Sequence, residues 1–306
     1  MRIAFATLPR MRPDIAVLYV LLRLLAFLPL RLLHAVGGGM GRLMGMFGAR
    51  SAHTARVNMS IARGDLPPAE QRRLAAACLR EQGRSVMEMA SVWGSGARRA
   101  LRRVRDVRGE EHFRAALERG RGVIIAAPHL GCWELLNYWL CSQTSMAILY
   151  RPPHVKALEA LLRKVRGDLA PEQVRAEGAG VRTLFKRLAA GGTVGILPDQ
   201  KPRQGDGRFA PFYGRRALTM VLLPRLAART GATVLFAFAE RLPKGAGYRI
   251  HLLPAPEGLD DVDPDRACAA LNRGVAACVE QAFTQYQWTY RRFTPPAPGD
   301  HNPYNE

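Results

Sequence analysis

Short apolar runs alternate along this chain with segments whose apolar residues lie three and four positions apart. Apolar runs bounded by glycine, proline or charge are typical of buried strands, and the second pattern is typical of helices that cover a sheet. The alternation predicts an α/β fold with a mixed sheet covered by helices. The predicted strands are Val123–Ala127, Met146–Tyr150, Thr193–Leu197, Thr233–Ala237 and Tyr248–Leu253. The predicted helices are Leu130–Cys141, Val155–Val165, Gly180–Ala190, Thr219–Thr230 and Asp265–Gln285.

The N-terminal part has another pattern, because Ile15–Leu33 is almost wholly apolar. Arg23, near its centre, would cost about 2.5 to 3.5 kcal/mol in the middle of a bilayer. We therefore expect an N-terminal hydrophobic membrane-anchor helix that spans weakly or lies in the interface. The alternative is a buried amphipathic helix of the globular domain. The predicted division is residues 1–50 as anchor and linker and residues 51–306 as the α/β domain, with a helical lead-in over 51–108.

Charge and cysteine content narrow the possible partners. The 306 residues include 45 Lys and Arg against 25 Asp and Glu, a net charge of +20. Such a surface favours a polyanion, which could be nucleic acid, an anionic membrane or an acidic carrier protein. The five cysteines form no C-x2-C pair, so they indicate neither a disulfide framework nor a zinc site. Cys132 is either a small hydrophobe in an apolar helix or a thiol nucleophile.

A histidine and a carboxylate stand where the first predicted strand gives way to an apolar helix. The spacing alone identifies no site, because it occurs three times, at His129/Glu134, His154/Glu159 and His301/Glu306. Only Glu134 is surrounded by apolar residues, and a buried carboxylate needs a partner. With His129 on the loop and Glu134 in the first helical turns, the two side chains can converge. The alternative is a core histidine bonded to a backbone carbonyl, with Glu134 tied to an arginine elsewhere.

Polar residues also follow two other predicted strands, where active sites of α/β folds gather. Arg151 directly follows Met146–Tyr150, and Asp199 and Gln200 follow Thr193–Leu197. Asp199 either orients a catalytic or binding arginine or caps its loop. Near the C-terminus, aromatic and basic residues alternate over Tyr286–Phe293. That alternation is typical of single-strand nucleic-acid binders and of membrane interfaces, so it does not choose between them.

Four blocks in this order, behind a hydrophobic N-terminus, resemble the lipid A biosynthesis late acyltransferases of the lysophospholipid acyltransferase superfamily. The blocks are HLGCWE at His129–Glu134, LPDQKP at Leu197–Pro202, PFYGRRALT at Pro211–Thr219 and QYQWTYRRF at Gln285–Phe293. The resemblance implies a glycerolipid acyltransferase-like sandwich and the His-x4-Glu motif. It also implies transfer of a fatty acyl chain from acyl carrier protein to a hydroxyl of a Kdo-bearing lipid A precursor, at the bacterial inner membrane with the catalytic domain cytoplasmic.

The resemblance assigns roles to individual residues. His129 would be the general base, and Glu134 would orient it and stabilise its charged form. Arg166 would be the functional arginine of the family, and Asp199 matches the acid of its third block. From their positions after predicted strands, Arg151, Asp199 and Gln200 are the further candidate substrate-binding residues. Backbone N–H groups near Gly131 and Cys132, or a nearby arginine, could stabilise the thioester oxyanion. The resemblance implies no cofactor and no metal.

The expected partners are acyl carrier protein as donor, an anionic glycolipid as acceptor and the membrane, with no nucleic acid. Two other functions stay open at this point. One is an acyltransferase that acts on a different lipid acceptor, such as a glycerolipid, an ornithine lipid or a glycolipid. The other is a nonenzymatic, basic nucleic-acid-binding protein, which leaves the hydrophobic N-terminus and the buried Glu134 unexplained.

Overall fold

The computed structural model describes residues 13–150, 172–175, 178–203 and 205–305. Arg151, Arg166 and the predicted helix Val155–Val165 lie outside the described residues, as does the pair His154/Glu159.

A mixed sheet forms the centre of the molecule and confirms the predicted α/β class. Its order is β1-β9-β8-β2-β5-β3-β4 in the described part of the chain, and the β8/β9 pair alone is antiparallel there. The strands are β1 (Val104–Arg108), β2 (Val123–Ala126), β3 (Met146–Tyr150), β4 (Glu172–Arg175), β5 (Thr193–Ile196), β6 (Gly207–Phe212), β7 (Arg215–Met220), β8 (Thr233–Arg241) and β9 (Tyr248–Pro254).

Helices cover both faces of this sheet. The helices are α1 (Pro13–Leu25), α2 (Leu30–Met46), α3 (Arg50–Ala62), α4 (Pro68–Ser95), α5 (Ala97–Leu101), α6 (Glu110–Glu118), α7 (Trp133–Gln143), α8 (Gly178–Ala189), α9 (Leu222–Thr230) and α10 (Pro264–Gln281). Along β2, Val123 and Ile125 pack with α5, α6 and α7, whereas Ile124 and Ala126 pack with α8, α9 and α10. All four side chains are buried, which is why β2 appears in the sequence as an unbroken apolar run.

A β-hairpin outside the main sheet lies between β5 and the helix predicted from Thr219. Strands β6 and β7 pair antiparallel through a two-residue turn at Tyr213 and Gly214, whose φ angles are 49° and 74°. The helix predicted from Thr219 therefore starts only at Leu222, because Thr219 still belongs to the ladder of β7. The side-chain amide of Asn272, on α10, donates to the carbonyl of Pro211 at 3.1 Å and holds the hairpin against the domain.

The apolar N-terminal segment forms two helices, α1 and α2, rather than one. Helix α1 ends at Leu25 and α2 begins at Leu30, directly after Pro29. Both helices pack against α4. In the part of the chain that is described, no helix has both the length and the apolar character needed to cross a membrane. Glycine makes the α2–α4 contact close: a Cβ on Gly41 would lie 2.0 Å from the carbonyl oxygen of Leu79. Arg23 turns inward and donates to the carbonyl of Gly94 at 2.9 Å.

A buried ionic cluster joins α2 and α4 to the end of β8. His34 Nε2 lies 2.6 Å from Glu88 Oε1, and Arg241 donates from Nε to the same oxygen at 2.6 Å. Arg241 also donates to Glu81 and to Ser85 Oγ. Burial raises the pKa of Glu88, but the charge and hydrogen bonds of Arg241 and His34 outweigh burial and lower that pKa from 4.5 to about 2. The cluster therefore holds an ionised carboxylate inside the protein.

Candidate active site

The loop after β2 is held by backbone contacts to the C-terminal part of the chain. The carbonyl of His129 accepts the N–H of Gln287 at 3.0 Å, and the N–H of Gly131 donates to the carbonyl of Gln285 at 3.2 Å. Gly131 has a φ of 62°, and a Cβ there would lie 2.0 Å from the carbonyl oxygen of Ala239. Only glycine fits this position without a shift of the backbone. The loop therefore presents His129 in a fixed position.

Asp199 is the carboxylate that contacts the His129 ring through Nδ1. Nδ1 lies 2.9 Å from Asp199 Oδ1, and the backbone N–H of His129 donates to Oδ2 at 3.0 Å. The two residues follow β2 and β5, which are adjacent and parallel, so their carboxyl ends meet at one edge of the sheet. The Asp199 side chain is 2% exposed and the His129 side chain 15% exposed. The acid is enclosed, while the ring reaches the cavity.

The ionised carboxylate of Asp199 determines which ring nitrogen of His129 carries the hydrogen. Burial raises the pKa of Asp199, but the charge of His129 and hydrogen bonds from its ring and backbone outweigh burial and lower it below the ordinary value of 3.8. An ionised carboxylate can only accept, so the Nδ1 that faces it carries a hydrogen. In the neutral ring, Nε2 then carries the lone pair.

Gln200 occupies the Nε2 side of the same ring. Its amide nitrogen lies 3.3 Å from His129 Nε2 and 3.0 Å from Gln287 Oε1. The next residue is also held from the C-terminal segment, because the backbone N–H of Lys201 donates to the hydroxyl of Tyr290 at 3.1 Å. Asp199 and Gln200, two consecutive residues after β5, thus contact the two ring nitrogens of His129.

A cavity of about 1000 Å³ lies beside His129, and its lining has an apolar part and a basic part. We call the first part the apolar arm; it lies against α7 and β3 and is lined by Ile125, Leu136, Leu140, Met146 and Ile148. Trp133 also lines the cavity, and the ring centroids of Trp133 and His129 are 5.3 Å apart. Glu134, 3% exposed, also lines the cavity.

We call the second part the basic arm. Its lining includes Arg182 and Lys186 of α8, Arg225 and Arg229 of α9, and Arg203. Both helices place two cations four residues apart, a spacing at which like charges repel. The sequences of α8 and α9 contain no Asp or Glu, and the carboxylate of Asp206 also lines the cavity. The arm therefore presents a concentration of positive charge to whatever enters it.

Several residues singled out in the sequence come together here. Asp199 and Gln200 meet His129, and Glu134 lies in the wall of the same cavity. Asp199 contacts the histidine directly, whereas the sequence suggested that it orients an arginine or caps its loop. No description of Arg151 is possible, and the same holds for Arg166, because both lie outside the described residues.

Sequence reasoning missed Gln287. Its signal was the alternation of aromatic and basic residues over Tyr286–Phe293, which pointed to stacking or to a membrane interface. In the structure this segment is largely internal: Tyr286 and Trp288 are buried, and Gln287 and Tyr290 hold the loops that carry His129 and Gln200. The segment supports the site and does not form a stacking platform.

The predicted backbone oxyanion donors are engaged elsewhere. The N–H of Gly131 donates to Gln285, and the N–H of Cys132 donates to the carbonyl of Ala239 at 2.9 Å. Both amides complete bridges between the loop and neighbouring strands, so the expectation that they stabilise an oxyanion is not met in this structure.

The Cys132 thiol lacks the properties of a nucleophile. It is 2% exposed and packs in the apolar cluster that includes α7. Burial, followed by the charge of Glu88, raises its pKa well above the usual range. A neutral, enclosed thiol behaves as a small hydrophobe. As for metals, the described residues contain no group of three or more His, Cys, Asp or Glu arranged to hold an ion.

Comparison with known proteins gives consistent results. The family described as bacterial lipid A biosynthesis acyltransferase matches residues 8–294. A lipid A biosynthesis lauroyltransferase of Escherichia coli (strain K12) is 27% identical over 268 residues, which cover 87% of this chain and 86% of that protein. A lipid A biosynthesis acyltransferase of Haemophilus influenzae is 24% identical over 279 residues, covering 87% and 85%. A phosphatidylinositol mannoside acyltransferase of Mycobacterium tuberculosis is 26% identical over 204 residues, covering 64% and 63%.

Proposed function

Because this chain belongs to the bacterial lipid A biosynthesis acyltransferases, and so is an O-acyltransferase, we propose that it transfers a fatty acyl chain from acyl carrier protein to a hydroxyl of a lipid A precursor, with His129 as general base. One observation carries the proposal: His129 is held by Asp199 through Nδ1 while its other nitrogen faces a cavity of about 1000 Å³.

The chemistry requires a base and no protein nucleophile. The pKa of an acceptor hydroxyl lies far above neutral pH, so a base within hydrogen-bond distance must take its proton as its oxygen attacks. Nε2 of His129 takes that proton, the oxygen bonds to the thioester carbonyl carbon, and the carbon–sulfur bond breaks. The imidazolium returns the proton to the leaving sulfur, which gives an ester and a free carrier thiol. Asp199 stabilises the imidazolium and fixes the ring, as the acid of a serine hydrolase triad does.

Glu134 is the second proposed catalytic carboxylate. It is buried in the cavity wall, in the first turn of α7, on the same element as Trp133. A charge there would add to the stabilisation of the imidazolium and of the bound substrates. Replacement by glutamine keeps the shape of the Glu134 side chain and removes its charge. Comparing kcat of Glu134→Gln with kcat of Asp199→Asn therefore measures how much each carboxylate contributes to catalysis.

The two arms of the cavity suit the two chemical parts of the substrates. The apolar arm would hold the transferred acyl chain, because its lining offers side chains that gain from being covered by hydrocarbon. The basic arm would hold the phosphates and carboxylates of the acceptor and the acidic carrier protein, which arginine binds in a bidentate manner. Arg151 and Arg166 are proposed to add to this charge. High salt should then raise the apparent KM for the carrier-bound donor.

A membrane surface is the proposed location of the reaction. Of the fifteen exposed large hydrophobic side chains in the described residues, twelve lie between residues 17 and 47, on α1, α2 and the links beside them. A patch of that kind is typical of a helix pair that lies in the bilayer interface. Arg99 stacks on the ring of Phe27 at 4.9 Å and adds a cation at its edge. We propose the inner membrane, with the catalytic domain cytoplasmic and residues 1–50 as the anchoring part.

Flotation with vesicles of phosphatidylethanolamine and phosphatidylglycerol tests this surface. Leu24→Asp with Phe47→Asp changes two side chains that are 59% and 82% exposed, and should greatly reduce vesicle binding. Val262→Asp, at a site 95% exposed and far along the chain, is the matched control. Equal binding by all variants would exclude this face as the membrane contact.

A different lipid acceptor is the second candidate, because one relative is a phosphatidylinositol mannoside acyltransferase. The assay that decides supplies purified protein in mixed micelles with acyl carrier protein donors of several chain lengths. The acceptor is either the Kdo-linked lipid A precursor or a mannosylated phosphatidylinositol. Wild type should acylate the lipid A precursor, and His129→Ala should lose the activity. Transfer only to the mannosylated phosphatidylinositol would mean that this lipid, and not the lipid A precursor, is the acceptor. Transfer by His129→Ala at the wild-type rate would mean that His129 is not the general base.

A further inference from the structure

The reaction proposed above develops negative charge on the thioester carbonyl oxygen, and that charge needs hydrogen-bond donors. The backbone N–H groups of Gly131 and Cys132 stand nearest in the chain, but both donate to backbone carbonyls. Freeing them would break the bridges that position His129. A donor whose hydrogen already points at the reaction centre would need no such rearrangement.

The side-chain amide of Gln200 has that position. Its nitrogen lies 3.3 Å from His129 Nε2, the atom that receives the proton of the acceptor hydroxyl. The reacting atoms must lie about 3 Å from both the base and the oxyanion donor. A nitrogen beside Nε2 meets that requirement.

The orientation of the amide is determined by its two partners. His129 Nε2 carries a lone pair, because Nδ1 donates to Asp199, and Gln287 Oε1 is also an acceptor. Only the NH₂ end of Gln200 can satisfy two acceptors, since the carbonyl end has no hydrogen to offer. Gln287 is itself anchored, because its backbone N–H donates to the carbonyl of His129 at 3.0 Å. One residue thus holds both the catalytic loop and the Gln200 amide.

We propose that Gln200 is an oxyanion-stabilising catalytic residue and that Gln287 is the positioning residue that aims it, an inference that rests on the proposed acyl transfer. Without substrate, the Gln200 amide donates one hydrogen bond to Gln287 Oε1 and a second to His129 Nε2. When the acceptor hydroxyl binds, it donates to Nε2 in place of the amide. The second N–H of Gln200 is then free to donate elsewhere.

The freed hydrogen then meets the charge as it forms. The hydroxyl oxygen bonds to the thioester carbonyl carbon, its proton goes to Nε2, and the carbonyl π electrons move to the carbonyl oxygen. Gln200 donates to that oxygen. When the electrons return, the carbon–sulfur bond breaks, and the proton on Nε2 goes to the sulfur of the carrier. The hydrogen bond from the Gln200 amide to Gln287 Oε1 is kept throughout, so the amide keeps its orientation.

The test measures kcat and KM for Gln200→Ala in the micellar assay, with thermal melting as a check on folding. Removal of an oxyanion donor should lower kcat about 10²- to 10³-fold and leave both KM values nearly unchanged. A trifluoromethyl ketone analogue of the acyl donor, whose hydrate resembles the tetrahedral centre, should lose affinity in parallel. An inert thioether of the same chain length should bind as before.

A matched pair at Gln287 tests the positioning role without touching the reacting atoms. Gln287→Glu keeps an acceptor oxygen for the Gln200 amide, whereas Gln287→Leu removes it. The leucine variant should lose kcat, and the glutamate variant should recover much of the loss. This pair also decides the matter if Gln200→Ala does not fold.

Two results would overturn the inference: a kcat of Gln200→Ala close to wild type, or equal losses of affinity for the ketone and the thioether. The second would assign Gln200 to ground-state binding. Failure of the proposed function is distinct from both, because wild type itself would then show no transfer that depends on His129.

Discussion

Two histidines among the described residues are paired with buried carboxylates, and the two pairs are arranged in opposite ways. His129 contacts Asp199 through Nδ1, and its Nε2 faces the cavity and Gln200. His34 contacts Glu88 through Nε2, and Arg241 binds both oxygens of the same carboxylate. In the first pair the acid serves one ring and leaves a nitrogen for chemistry. In the second pair the acid is shared by His34 and Arg241 inside a packed cluster.

The comparison shows that a buried histidine–carboxylate contact does not identify a catalytic site. The nitrogen that makes the contact matters, as does the environment of the other nitrogen. Both acids are kept ionised, since partners lower the pKa of Glu88 and of Asp199 against the effect of burial. What differs is the access of the ring to the cavity, which His129 lines and His34 does not. We therefore expect changes at Asp199 to affect the reaction and changes at Glu88 or Arg241 to affect stability.

The largest effect should come from Asp199→Asn. An amide can present its NH₂ to Nδ1, which would move the ring hydrogen to Nε2 and remove the base. We expect kcat to fall about 10³- to 10⁴-fold with little change in the melting temperature. Steady-state kinetics in the micellar assay measures this, and a loss of less than tenfold would mean that Asp199 does not control His129.

Arg241→Met should reverse that pattern. It leaves Glu88 with His34 alone and removes one of the two arginines that contact Glu81. Breaking a buried ion pair costs about 3 to 5 kcal/mol. Urea unfolding should show this loss, while kcat of the folded protein stays close to wild type. The backbone N–H of Arg241 still donates to Gln285 Oε1, so the contact toward the catalytic loop survives the substitution. An inactive variant of normal stability would contradict the division between the two pairs.

Acid should destabilise the protein through the same cluster. The pKa of Glu88 is lowered from 4.5 to about 2, so its contribution is present above pH 4.5 and is lost as the pH falls toward 2. The shift corresponds to about 3 kcal/mol, since each unit is worth about 1.4 kcal/mol. Asp199, whose pKa is also lowered, acts with the same sign. The free energy of unfolding, measured by urea titration and plotted against pH, should fall more steeply between pH 4.5 and 2 for wild type than for Glu88→Gln. Equal slopes for the two proteins would refute the assignment.

The smallest effect is expected for Cys132→Ala. The thiol is buried against α7, takes no part in the proposed chemistry, and has a pKa raised far from neutrality. Activity should stay within about twofold of wild type, because a small buried hydrophobe is replaced by a slightly smaller one. A dead but folded Cys132→Ala protein would revive the thiol nucleophile and remove the need for a histidine base.

Much of the fold follows from local patterns. Strands β2, β3 and β5 appear in the sequence as apolar runs, and their predicted bounds are confirmed to within a residue. The runs of β2 and β5 are unbroken because both faces of these strands are covered. Strand β1 was missed, because this edge strand, VRDVR, has only two valines among three charged residues and so carries no such run. The break between α1 and α2 was also missed, although Pro29 marks it.

The site was predictable in its parts and not in its pairing. His129 and Asp199 are 70 residues apart, and their contact depends on β2 lying beside β5, which local periodicity does not determine. Gln287 is still farther away and reaches Gln200 across 87 residues. Glu134 was predicted beside His129 because the two are near in sequence, and it lines the same cavity. The acid in contact with the ring, Asp199, is brought there only by tertiary structure.

The tautomer of His129 shows whether Asp199 holds the ring as a base, and ¹⁵N NMR on histidine-labelled protein in micelles measures it. His34→Gln and His129→Gln variants would assign the two rings. We expect neutral His129 to carry its hydrogen on Nδ1 and its lone pair on Nε2, and His34 to carry a hydrogen on Nε2. A neutral His129 with its hydrogen on Nε2 and its lone pair on Nδ1 would mean that Asp199 does not hold the ring as a base toward the substrate.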